Sequence, residues 1–329
     1  METLFIAREA KLKRRENTLW VTVEGRSTPF PIEKIRHIVL LAESSLTTKL
    51  LDLCGSHGVR LSVFDYYGYY RGSFEPVGQN PAGRVKLAQA DLVLDDGRRM
   101  AVARELVRGA GHNLRGNLLY YEYRGNRELS GVIAELNRGL AKVGQAGDSE
   151  VLMGIEGNLH QAYYGAWGMI DARLAFTPRV RRPPNNPVNC LISFVNQLVY
   201  TVARHEAFKT HLEETFSFLH APSAGRSSLS LDLAEPFKPV LSHALIFRMV
   251  RKNMVADNWF EQKEGVCEQK EGVCLLSETG RRHVAEQFAT RLEESYQGRT
   301  YREWVYREAL AIERHLLGVA EYESFKQRH

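Results

Sequence analysis

The chain has 329 residues, 44% of them apolar and 25% charged, a balance that suits a folded globular protein and excludes wholesale disorder. At roughly 150 residues per domain, the length implies about two domains. Lys and Arg total 44 against 39 for Asp and Glu, and the net charge of +5 permits a polyanionic partner without requiring one.

The ends and the cysteines narrow the setting. Met1-Glu2-Thr3-Leu4 opens without the basic and apolar regions of a secretory signal. The best apolar run, Ile38–Ala42, is strand-sized, far short of the ~18 residues needed to cross a bilayer, so no membrane role is expected. Cys54, Cys190, Cys267 and Cys274 make no C-x-x-C pair, and a reducing cytoplasm is the expected location.

In chain order, the first ~75 residues read as strands. Leu19, Val21 and Val23 alternate with Trp20 and Thr22, and Thr3–Ala7, His37–Leu41, Arg60–Phe64 and Tyr69–Phe74 share that length and β-rich composition. One short helix is predicted between them, capped by Ser44 or Ser45, striped by Leu46, Leu50 and Leu53, and stopped at Gly55. Lys11, Lys13, Arg14 and Arg15 are expected on a turn. Two prolines and two glycines within 76–83 mark a linker. Beyond it, apolar residues recur at three- and four-residue spacing near 84–95, 98–124, 128–145, 149–174, 188–209, 240–258 and 280–294. The expected fold is therefore α+β and multidomain. A small β-rich domain with one short helix (1–75) and a linker (76–83) precede a larger, mostly helical domain (84–329).

Residues 261–267 and 268–274 are the same seven letters, Glu-Gln-Lys-Glu-Gly-Val-Cys. A local duplication inside a surface loop accounts for Cys267 and Cys274 better than a functional cysteine pair.

Two segments carry chemistry. On the 149–174 helix, Glu156, His160, Tyr163, Tyr164 and Trp167 share one face. Glu156 there is either a solvated acid at the edge of an aromatic face or an acid held for a purpose. The second segment has His220 just before Ala-Pro, then Asp232 and Glu235 three apart in an apolar turn. Two carboxylates in apolar surroundings are costly unless something pairs with them. Lys238 is one candidate partner; a hard divalent ion, Mg²⁺ or Mn²⁺, is the other. Arg173, Arg179, Arg181 and Arg182 run into a proline-rich stretch, and Arg248, Arg251 and Lys252 share a helix face. Singly these are solvated faces; beside a carboxylate centre they look like phosphate contacts.

The run Glu156-Gly-Asn-x-x-Gln-Ala-Tyr-Tyr, then Arg181-Arg-Pro-Pro with Asn189, then Phe218-Leu-His220, then Leu231-Asp-Leu-Ala-Glu235-Pro-Phe-Lys-Pro resembles the CRISPR-associated endonuclease and integrase counted as number one in those systems. The motifs match in order across nearly the whole chain, and the N-terminal part matches by pattern more than by letters. The resemblance implies a metal-dependent nuclease and integrase that inserts new spacers into CRISPR arrays for antiviral defence. It implies Glu156, His220 and Glu235 as ligands for Mg²⁺ or Mn²⁺, with Asp232 as a supporting acid or second-metal ligand. The family often has Asp where Glu235 stands; Glu keeps the oxygen donors. Tyr200 falls where relatives place a residue beside DNA, although a core tyrosine fits equally. Arg181, Arg182, Lys238, Arg248 and Arg251 are the expected DNA contacts. The expected partners are DNA, a second copy of the chain paired through the β-domains, and the small CRISPR-associated protein numbered two.

The chemistry expected is attack by a DNA 3′-hydroxyl on a repeat phosphodiester, with hydrolysis as the variant in which water attacks. No serine or tyrosine is paired with an obvious base, so no covalent enzyme–DNA intermediate is expected. Three rival readings remain open: a mobile-element integrase of the same superfamily, a catalytically silent DNA-binding scaffold, and a zinc hydrolase built on His220.

Overall fold

The computed structural model describes residues 2–77, 82–176, 178–180, 183–220, 227–263 and 273–328. Arg181, Arg182 and most of the duplicated segment lie outside them.

The N-terminal part is β-rich, and its strands follow the alternation of apolar residues. In chain order they are β1 (Glu2–Ile6), β2 (Ala10–Arg15), β3 (Thr18–Val23), β4 (Arg26–Pro31), β5 (Ile35–Leu40) and β6 (Ser44–Leu46), then helix α1 (Thr48–Ser56), β7 (Arg60–Phe64) and β8 (Tyr70–Phe74). They form two four-stranded sheets, ordered β1-β5-β7-β8 and β4-β3-β2-β6. In the first, β1, β5 and β7 run parallel and β8 returns antiparallel. Leu12, Leu19, Ile32, Ile38, Leu50, Leu53 and Leu61 meet in one core shared by both sheets and α1. At the β3–β4 hairpin, Val23 pairs with Arg26, and both loop residues, Glu24 and Gly25, have positive φ (49° and 78°). That is the two-residue turn whose twist matches paired strands.

Three local expectations need correction. Ser44 and Ser45 are not the helix cap; they pair as strand β6 with Ala10 and Lys11, and Thr47 stands at the start of α1 instead. Gly55 lies inside α1, one residue short of its end. Lys11, Lys13, Arg14 and Arg15 sit on strand β2, where alternation exposes the two lysines and buries Leu12 between them.

Beyond residue 82 the chain is mostly helical, with α2 (Gly83–Leu94), α3 (Asp96–Tyr123), α4 (Ser130–Lys142), α5 (Ser149–Gly165), the short α6 (Trp167–Ile170) and α7 (Pro187–Phe208). Then come α8 (Leu229–Ala234), a single π-helical turn at Lys238–His243 and α9 (Ala244–Arg251). Strands β9 (Phe260–Lys263) and β10 (Val273–Leu276) form an antiparallel hairpin in which Lys263 faces Val273. Helix α10 (Glu278–Glu293), the small hairpin of β11 (Ser295–Tyr296) and β12 (Arg299–Thr300), and α11 (Tyr301–Leu316) complete the order. Helices α8 and α11 were not among the periodic segments. No helix among the described residues is long and apolar enough to cross a membrane.

Contacts divide the chain into two compact units. One gathers Met1–Pro81, Pro183–Thr201 and Ala256–Thr290. Its three segments are joined by Arg281 Nη1 donating to Tyr66 O (2.7 Å) and Cys274 N donating to Pro184 O (2.9 Å). The other gathers Ala82–Arg182, Val202–Val255 and Arg291–His329. There α3 packs on α4 and α5, and α11 packs on α2 and α8. Leu106, Leu114 and Leu118 of α3 are fully buried, and so are Leu136, Leu152 and Leu159 opposite them.

Candidate functional site

Helix α5 brings the first acid. Asp148 starts it, its carboxylate accepting the Val151 N–H at 2.8 Å. From there the 3.6-residue period turns Glu156, His160 and Tyr163 inward together, and Trp167 at the start of α6 is buried beside Tyr163. The Glu156 side chain is only 15% exposed, which settles against a solvated edge position. His160 Nε2 lies 3.0 Å from Glu156 Oε1 and 3.8 Å from Glu235 Oε2.

Helix α8 and the turn after it bring the second. Leu229, Leu233, Ala234 and Phe237 are fully buried, and this apolar anchorage holds Glu235 at the helix end with its side chain 3% exposed. Lys238 Nζ lies 2.7 Å from Oε1 and 2.6 Å from Oε2 of Glu235. Lys238 was expected among the DNA contacts. It is instead buried against Glu235, because a three-residue step from the end of α8 turns its ammonium inward.

Asp232 has a different task. It is fully buried and accepts the backbone N–H groups of Phe218 (2.6 Å), Leu219 (3.0 Å) and His220 (3.1 Å). Its Oδ1 also lies 2.7 Å from His220 Nδ1. An Nδ1–H donated to this carboxylate leaves the Nε2 lone pair of His220 free, and Nε2 lies 3.8 Å from Glu235 Oε1.

The electrostatics follow from crowding. Burial pushes Glu156 upward, yet the adjacent His160 holds it below the ordinary carboxylate range. Burial likewise opposes ionisation of Glu235, and Lys238 with the two histidines overcomes it strongly. His160 and His220 are both raised against their own burial, His160 by Glu156 and Glu235, His220 by Asp232. Next to them His243, fully buried among the rings of Tyr163, Tyr164 and Trp167 (centroids 5.3–5.6 Å), is held far below its ordinary value by burial. The carboxylates therefore favour a proton on His160 and His220, and burial disfavours one on His243.

This donor set fits a divalent cation. Glu156, His160 and Glu235 offer ligand atoms within 4.8 Å of one another. His160 Nδ1 is buried without a hydrogen-bond partner, so the cluster holds a ligand atom that its own residues do not satisfy. Two carboxylates with imidazole are donors that Mg²⁺ and Mn²⁺ accept. Of the residues singled out in the sequence, Glu235 lies between two groups, Glu156 with His160 on one side and His220 with Asp232 on the other. His160 was seen in the sequence only as one member of the aromatic face; its signal was the four-residue step from Glu156.

In the same unit, a groove of about 580 Å³ is lined by Tyr120, Tyr121, Arg124, Arg248, Arg251 and Lys252, among others. Arg251 is exposed, with its guanidinium 5.0 Å from the Tyr121 ring, while Arg248 pairs with Glu294. Among the described residues, no carboxylate lines this groove. Tyr200 is half-buried on α7, in the other unit. Arg181 and Arg182 lie outside the described residues.

Comparison with known proteins identifies the family. Residues 4–290 match the model of the family described as CRISPR associated protein Cas1. A CRISPR-associated endonuclease Cas1 of Thermodesulfovibrio yellowstonii is 34% identical, over 98% of both chains. A solved CAS1 protein from Thermotoga maritima superposes with a TM-score of 0.87 at 28% identity, covering 98% of this chain and 100% of that one. A casposase solved bound to its integration product shares the fold, with a TM-score of 0.85 at 18% identity over 100% of this chain and 95% of that one. With the motifs, the fold and the relatives in agreement over almost its full length, the chain belongs to the Cas1 endonuclease family.

Proposed function

We propose that the chain is a divalent-metal-dependent DNA endonuclease and integrase that inserts new spacers into CRISPR arrays by 3′-hydroxyl attack on a repeat phosphodiester. The observation that carries this reading is the buried convergence of Glu156, His160 and Glu235, with His220 Nε2 3.8 Å from Glu235 and Asp232 on the Nδ1 side of His220. Glu156, His220 and Glu235 would hold Mg²⁺ or Mn²⁺, with His160, which stands beside both carboxylates, as a further candidate ligand. When bound, the ion supplies Lewis acidity, lowering the effective pKa of the attacking hydroxyl and offsetting charge that grows on the phosphate.

The chain's own residues do the rest. Asp232 fixes the His220 tautomer. Lys238 keeps Glu235 ionised despite burial. The aromatic rings around His243 limit water and lower the local dielectric. Arg251, Arg248 and Lys252 offer cations to DNA phosphates along the basic groove, with Tyr200, Arg181 and Arg182 as further contacts. On this reading residues 1–75 pair two copies of the chain, residues 84–329 are catalytic, the family's small partner protein joins them, and the work is done in the cytoplasm. A second reading, a mobile-element integrase, draws on the fold shared with the casposase and differs in the DNA ends it joins.

A strand-transfer assay tests this. It combines a supercoiled plasmid bearing a leader and repeat, a short duplex with free 3′-hydroxyls, the small partner protein, and Mn²⁺, Mg²⁺ or EDTA. Joining is expected with either metal, none with EDTA, and a loss of about a hundredfold or more in Glu156→Ala. Joining at transposon-like ends but not at the repeat would favour the second reading. Absence of metal-dependent DNA chemistry in every arm would overturn both.

A further inference from the structure

The turn that carries Glu235 is gripped from behind by α3. Asn113, fully buried, donates from Nδ2 to Pro236 O (2.7 Å) and to Phe325 O (3.1 Å). Its Oδ1 accepts the backbone N–H of Gln327 at 2.8 Å. One helical turn further on, Asn117 donates to Pro239 O and to the Tyr163 hydroxyl, both at 2.9 Å. The two asparagines thus bracket residues 236–239, immediately beside Glu235.

The other partner of Asn113 is the C-terminal tail. The segment after α11 has no regular structure, yet Tyr322, Ser324 and Phe325 are buried. Glu308 of α11 accepts the Tyr322 hydroxyl (2.6 Å), the Ser324 hydroxyl (2.8 Å) and the Phe325 N–H (2.9 Å). The Phe325 ring lies flat on Phe237, with centroids 4.8 Å apart and planes at 13°. Helix α3 carries glycine where the tail crosses it. A Cβ on Gly109 would stand 2.2 Å from Ser324 Oγ and 2.7 Å from Ser324 Cβ. A tail that only trailed over the surface would need none of this.

We propose that the tail, residues 322–327, together with Asn113 is a positioning element for the metal centre. By fixing Pro236 and Phe237 it sets the place of Glu235, and the chain binds its divalent ion tightly only while the tail is latched. Asn113 and Phe325 touch no ligand atom; they act through the turn. The inference rests on the reading of Glu156 and Glu235 as ligands.

The test is a Mn²⁺ titration of the full chain, followed by electron paramagnetic resonance of the free ion. Phe325→Ala, Asn113→Leu, the conservative Phe325→Leu and, as control, Glu156→Ala are compared with the unaltered chain. Circular dichroism checks each fold, and duplex DNA affinity is measured without metal. Phe325→Ala and Asn113→Leu should keep their fold and DNA affinity but bind Mn²⁺ about tenfold or more weakly. Phe325→Leu should recover most of the loss, and saturating Mn²⁺ should restore strand transfer. Should Phe325→Ala not fold, Tyr322→Phe removes one bond of the latch at constant volume and carries the same expectation. Unchanged Mn²⁺ affinity in the folded tail and Asn113 variants would overturn the proposal. Unchanged affinity in Glu156→Ala would instead remove Glu156 from the ligand set, a separate failure.

Discussion

Glu308 is a fully buried carboxylate, and burial raises it to about 7 even though three donors pull the other way. Folding therefore retains a proton that the unfolded chain releases near the ordinary value of 4.5. The sign is fixed by that order. The contribution is full below about pH 4.5 and is lost as pH rises through about 7, on the order of 3 kcal/mol in all. Glu308→Gln, which stays neutral, should melt with a flatter pH profile. Between pH 5 and 8 the difference in Tm should move in its favour by about 5 °C, and parallel profiles would remove Glu308 as the titrating group. Among single residues, what the sequence reveals depends on where the partners lie. Glu156 and Glu235 stand out because acids in apolar runs are costly. The role of Asp232 depends on three N–H groups of residues 218–220, which no spacing predicts. His160 looks like a core histidine until Glu235 arrives beside it from another helix.

Helix α9 presents its basic residues unequally. Arg248 is engaged by Glu294, whereas Arg251 faces solvent over Tyr121. Arg251→Ala should weaken duplex binding for all sequences alike and reduce the slope of log affinity against log salt by about one. An unchanged slope would take Arg251 off the DNA surface. The β9–β10 hairpin makes another expectation concrete. Deleting either seven-residue copy gives the same chain, in which Lys263 and the retained Val-Cys-Leu-Leu are separated by Glu-Gly alone. Glu24-Gly25 already turns β3 into β4 with both φ angles positive. The deletion should keep the described pairing, leave activity within a few-fold and stabilise the chain by about 1 kcal/mol of loop entropy. Lost activity or a lower Tm would show that the duplicated copy contributes contacts. Strands and helices with a clean apolar period were readable from the sequence. Helix α11 was missed because charges interrupt its stripe. Its capping box of Thr300 and Glu303, three residues apart, was the signal available.

At the scale of the whole molecule, composition and the change of period near residue 80 announced a β-rich part and a helical part, and both are present. What they could not announce is that compact units need not be continuous in sequence. Segments 183–201 and 256–290 belong with the N-terminal strands, because contacts such as Arg281 to Tyr66 are made across some two hundred residues. No local pattern carries that information. It also sets an order in time. The strands of residues 1–81 leave the ribosome first, but the last segment of their unit ends at Thr290. At roughly 5–20 residues per second they wait about 10–40 s for that last segment. During that interval the two four-stranded sheets and their shared core can already be complete, but the later segments that pack on them are missing.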